Sequence, residues 1–153
     1  MTVRVEEESV REALALEAVA LRDAVGDPHA QAGYDALARA LADGAVADNL
    51  EPPLERLLEL TLRTGRVRRL HGPHAEAAAI RLYQATPAGR AVGAALAEVN
   101  AALAAVRGRS IERLAFTAKG PGTYGLTLDT PGTKLSLEIG ADGVAVRELS
   151  VGD

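Results

Sequence analysis

Six arginines and two histidines face a single acid, Glu76, in the stretch from Arg63 to Arg90, the densest chemistry in the chain. Arg63, Arg66, Arg68, Arg69, Arg81 and Arg90 could engage an anionic surface, either nucleic-acid phosphates or the carboxylates of a protein. His71, His74 and Glu76 are donor types that suit zinc or another transition metal. Their spacing does not suit it, because Gly72-Pro73 prevents a continuous helix between the histidines and no thiolate or fourth donor lies near. No metal is expected there; Pro73 reads as the start of a new element.

Other patterns resolve the same way. Glu55 and Glu59 stand one turn apart, as in a hydrolase or di-metal pair, but no second glutamate-and-histidine set accompanies them, so a solvated helix face is expected. Gly120-Pro-Gly122-Thr-Tyr-Gly125 matches G-x-G-x-x-G, yet a strand pattern follows it where a dinucleotide site needs a helix. It reads as a turn. There is no G-x-S-x-G elbow, and Ser9, Ser110, Ser136 and Ser150 sit at cap or strand positions. No cofactor is expected, and these exclusions fall hardest on catalysis. Were the protein an enzyme, His71, His74 and Glu76 would be the residues to test first.

Composition sets the frame. The 153 residues contain no cysteine, which removes disulfides, thiolate metal sites and Cys nucleophiles. With no tryptophan and a single phenylalanine, the core must be built from Ala, Leu and Val. The N-terminus lacks the basic start and apolar run of a signal peptide, so a cytoplasmic location is expected. No stretch is long and apolar enough to cross a bilayer. Net charge is −4, but unevenly laid out: residues 1–62 carry 13 acids and 5 bases, 63–91 carry 1 and 6, and 92–153 carry 7 and 6. An acidic N-terminal part thus precedes a basic middle.

The elements that must position these residues are legible from periodicity. Ser9 and Glu12 have capping-box spacing before Val10, Leu14, Ala18, Leu21 and Val25, with the helix starting at Ser9 or a turn or two earlier. Asp27-Pro28 opens a second helix with Tyr34, Leu37 and Leu41, ended by Gly44. Pro52-Pro53 opens a third with Leu54, Leu57, Leu58 and Leu62, ended by Gly65. Thr86-Pro87 caps a long helix whose Val92, Leu96, Val99, Leu103 and Val106 form a narrow apolar seam, to be packed on a sheet or on a partner subunit.

From Ser110 the period becomes two. Leu114/Phe116, Tyr124/Leu126/Leu128, Leu135/Leu137/Ile139 and Val144/Val146 alternate with polar residues, separated by Pro121-Gly122, Pro131-Gly132 and Asp142-Gly143. Leu149 and Val151 fall out of phase with Val144 and Val146, which a bulge near Arg147 would explain. The expected fold is α+β: about four or five helices over residues 1–107, then a four-stranded antiparallel meander over 108–153 packed on the last long helix as one compact domain.

The run from Leu57 to Arg69, followed by Ile80 to Ala91 with its Thr86-Pro87-Ala88-Gly89, resembles the second half of a winged-helix regulator of the MarR or PadR type, over residues 54–104. The resemblance implies a wing between Arg66 and Ala85, with Arg66, Arg68, Arg69 and Arg81 on DNA phosphates. Against it, Glu55 and Glu59 stand where polar base-reading residues belong, and residues 75–85 have the composition of a helix. Two further readings of the arginines stay open: pairing with the acidic first helix, or docking an acidic partner or a second copy. The balance favours a non-enzymatic binding or assembly protein acting through protein contacts, a homodimer, with a DNA-binding regulator as the alternative.

Overall fold

The computed structural model describes residues 3–152. Its contacts divide the chain into two compact units, the first running to Arg90 and the second from Ala91. Among the described residues, no helix is long and apolar enough to cross a membrane. The architecture is α+β, with five helices and then a four-stranded antiparallel sheet.

The first unit opens with a strand too short for its pattern to show, β1 (Val3–Arg4), paired antiparallel with β2 (Ala45–Val46). Between them run α1 (Glu8–Ala24) and α2 (Pro28–Asp43). The expected Ser9/Glu12 capping box does not form: Glu7 is the N-cap residue, and the Ser9 hydroxyl donates to Glu7 Oε1 at 3.0 Å. At α2 the caps are as expected, with the Asp27 carboxylate accepting from Ala30 N–H at 2.7 Å and Gly44 in the left-handed region at φ 82°.

A 3-10 turn (Asp48–Leu50) leads into α3 (Glu51–Arg63), and Gly65 at φ 65° separates it from α4 (Arg66–Ala85). Helix α4 is two helices in line of sequence, broken at Gly72 (φ 86°, ψ 174°) with Pro73 beginning the second. Proline has no N–H to give and suits a first helical position. Residues 75–85 are therefore helical. The wing strands that the regulator resemblance implies for 66–85 are not formed, because a run rich in Ala, Glu, Leu and Arg follows its helix propensity.

The core of this unit gathers one stripe from each helix: Val10, Leu14 and Ala18, then Tyr34, Leu37 and Leu41, then Leu54, Leu57 and Leu58, then Val67, Ala75, Ala78 and Ala79. Each fully buried leucine is worth about 1.5–3 kcal/mol relative to exposure. The alanines of α4 keep that helix close to its neighbours. Thr61 is also buried, its hydroxyl satisfied by Leu57 O at 2.7 Å.

Helix α5 (Pro87–Ala104) begins in the first unit and carries its seam into the second. There the meander runs β3 (Arg113–Gly120), β4 (Thr123–Thr130), β5 (Thr133–Gly140) and β6 (Gly143–Val151), paired in sequence order. Gly122, Gly132 and Gly143 all have positive φ, which the tight turns require. Leu137 pairs with Val146 while Ser136 pairs with Glu148, so Arg147 is the extra residue of a bulge, at the expected position. The bulge returns Leu149 and Val151 to the side that holds Val144 and Val146. Val99 and Ala102 of α5, with Leu103 and Val106 beside them, pack on Leu128, Leu135 and Leu137.

Candidate interaction surfaces

The basic segment meets α1 first. Glu17 of α1 is 3% exposed, and its carboxylate receives Arg66 Nε at 2.5 Å and His71 Nε2 at 2.9 Å. His74 lies 2.6 Å from Glu7, and Arg68 reaches Glu76 at 3.1 Å. The His74 hydrogen bond, then that from Ser9, holds the Glu7 carboxyl below the ordinary range. Helix α4 thus docks on α1 through paired charges, and a carboxylate as buried as Glu17 needs both its partners.

Three of the residues considered as metal donors are parted by this arrangement, since His71, His74 and Glu76 each take a different partner. No group of three His, Asp or Glu residues suited to an ion occurs among the described residues. Of the six arginines, Arg63, Arg68, Arg69, Arg81 and Arg90 are exposed, and Arg66 is half-buried. The Arg90 guanidinium donates to the carbonyl of Ala85. Arg81 lies near enough to Glu7 to help lower its carboxyl.

The carboxylate pair of α3 has a structural role. Glu55 Oε1 accepts the N–H of Ala88 at 2.8 Å, capping the start of α5, and Glu59 lies 3.6 Å from Arg56. At the same junction Thr86 is fully buried; its hydroxyl accepts from Gly89 N–H at 3.2 Å and donates to Tyr83 O at 2.7 Å. Burial, then Glu59 and Glu55, pushes the Tyr83 hydroxyl up from its ordinary value. A Cβ on Gly89 would stand 1.9 Å from Tyr83 O, so only glycine fits. This explains Thr86-Pro87-Ala88-Gly89 without reference to DNA.

Most of the large apolar side chains that stand exposed among the described residues lie in the second unit. The register puts Leu114 and Phe116 of β3, Tyr124, Leu126 and Leu128 of β4, Leu135, Leu137 and Ile139 of β5, and Val144, Val146, Leu149 and Val151 of β6 on one side of the sheet. The strands themselves contribute no charged residue to that side; Thr130 and Thr133 there are buried, and the Arg109 guanidinium reaches in at one end to donate to the Thr133 hydroxyl at 3.0 Å. Yet α5 covers only its middle. Phe116 is 66% exposed and Leu114 58%, with Tyr124, Leu149, Val151 and Ile111 exposed as well. Val92 and Leu96, the first half of the α5 seam, are also uncovered.

The opposite side is polar and paired: Lys134 with Glu148 at 3.0 Å, Arg147 with Glu138 at 2.5 Å. The Arg147 hydrogen bond lowers the Glu138 carboxyl. Alternation identified the inner set of β3, but not that it would be left open. A second feature escaped the sequence altogether. An open groove of about 640 Å³ between α1 and α2 is floored by Ala15, Leu16, Val19, Ala38 and Ala42. Leu16 is exposed there, and its only signal was that it breaks the phase of Val10, Leu14 and Ala18. No family model matches the chain, and no curated protein or solved structure matches it either.

Proposed function

We propose that this protein is a binding or assembly module that works through protein–protein contacts made by the apolar side of its second unit. One observation carries this: a sheet side to which the four strands contribute no charged residue, on which Leu114 and Phe116 stand mostly exposed. Monomeric surfaces rarely keep apolar patches beyond a few hundred Å² unless something binds them. The titratable groups of the first unit support binding over catalysis, because Glu17, His71, His74, Glu7 and Glu55 are engaged with one another or with a helix end.

The test is a photo-crosslinking side chain in place of Phe116, with Thr127 on the polar side as control. Covalent adducts to protein are expected from position 116 and not from 127. Equal, background labelling at both sites would refute the reading. The alternative, a duplex-DNA surface, would draw on Arg66, Arg68, Arg69 and Arg81, of which Arg66 and Arg68 already hold Glu17 and Glu76. It predicts a low-salt mobility shift lost in Arg68→Ala/Arg69→Ala; no shift is expected here.

A further inference from the structure

The meander has two free edges, and they differ. β6 carries the Arg147 bulge and the outward pair Arg147 and Glu148, both devices that discourage another strand from pairing. β3 has no such protection over Leu114-Ala115-Phe116-Thr117-Ala118. These five residues hold no charge and no proline, and the register of β3 is regular until the shift between Ala118 and Gly120. β3 is also exposed along nearly its whole length.

Resting on the protein-binding reading above, we infer that the partner is a second copy of this chain, joined antiparallel along β3 about a two-fold axis at Ala115, which makes one eight-stranded sheet. Symmetry and charge select that register. A shift by an odd number would set apolar side chains against the polar side of the partner strand. An axis at Phe116 would oppose Arg113 to the partner's Lys119 twice, and like charges directly opposite are unfavourable. An axis at Leu114 would oppose Glu112 to the partner's Phe116.

With the axis at Ala115, Leu114 faces the partner's Phe116 at two symmetric places on the apolar side. On the polar side Arg113 faces the partner's Thr117. The exposed parts of Ile111, Leu114, Phe116 and Tyr124 supply roughly 400 Å² of apolar surface per copy, and the paired backbone brings the contact towards the ~600 Å² per partner of the smallest stable interfaces.

A chain without cysteine makes the test direct. Ala115→Cys would be the sole thiol, and opposed Cα atoms in an antiparallel pair lie within disulfide range, at about 4.5–5.5 Å. Mild oxidation of the full-length protein is expected to give a disulfide-linked dimer in high yield, and Thr127→Cys none above the level of random collision. Unmodified protein should sediment as two chains, and Phe116→Lys as one. A two-chain mass with no Ala115→Cys crosslink would overturn the β3 register while leaving self-association standing. A one-chain mass would overturn the second copy as partner. In that case adducts from position 116 to another protein would still support the binding reading, and their absence would remove both.

Discussion

Replacing Gly89 by alanine sets two effects against each other. Helix propensity alone favours alanine over glycine by up to about 1 kcal/mol. The added Cβ, however, would sit 1.9 Å from Tyr83 O and 2.5 Å from Tyr83 C, and both are backbone atoms. Relief requires the start of α5 to retreat by about 1 Å, an overpacking cost of about 1–3 kcal/mol. That retreat also stretches the caps from Thr86 to Gly89 N–H and from Glu55 to Ala88 N–H, each worth about 1 kcal/mol. The clash and the caps win, for a net loss of about 3 kcal/mol. Gly93 on the same helix has nothing within 4 Å of its would-be Cβ, so Gly93→Ala should stabilise by about 0.5–1 kcal/mol. Urea and thermal unfolding followed by circular dichroism would place the two variants on opposite sides of the wild type, with Gly89→Ala lower in Tm by about 10 °C. A Gly89→Ala protein as stable as the parent would show that the junction is not packed as described.

Removing Arg66 leaves Glu17 buried with His71 alone. Arg66→Ala should lose about 2 kcal/mol, the lower range for a broken buried pair because the Arg66 side chain is 42% exposed. The loss should shrink in a Glu17→Gln background; equal losses in both backgrounds would mean that the charge pair is not what Arg66 contributes. The carboxyls of Glu7 and Glu138 are lowered in the folded protein, so their stabilisation is complete above the ordinary carboxylate range, about pH 4.3, and is lost as pH falls through their folded values. His74→Ala removes the first cause at Glu7, and should make the decline in urea midpoint below that range shallower; an unchanged acid slope would contradict the pairing.

Much of the fold could be read because its signals are local. Asp27-Pro28, Pro52-Pro53 and Thr86-Pro87 punctuate helices by what proline and a capping oxygen do to their immediate neighbours, and the phase slip at Leu149 marked the bulge. What sequence could not supply was pairing at a distance. Glu17 lies 49 residues from Arg66 and 54 from His71, and only packing brings them together. The Glu55 cap on Ala88 and the contact of Gly89 with Tyr83 arise in the same way. The helix over 75–85 was favoured by propensity, yet the regulator resemblance competed with it, and the balance turned on residues such as Ala75, Ala78 and Ala79 that a helix buries. Phe116 illustrates the limit: alternation tells which side a residue takes, not whether that side is covered.

The extra residue at Arg147 makes β6 a strand in two independent phases. Its first half, Val144 and Val146, is held by the α5 core, while Leu149 and Val151 are exposed and hang on the ladder to β5. Deleting Arg147 would place Glu148 directly after Val146, so the strand would alternate without a bulge: Leu149 and Val151 would keep the uncharged side and Glu148 and Ser150 the charged one, and what would be lost is the local bend and the ion pair with Glu138. The inserted residue therefore serves the edge of the sheet, bending its last strand and adding a charge there, while the phase of the side chains beyond it would stand without it.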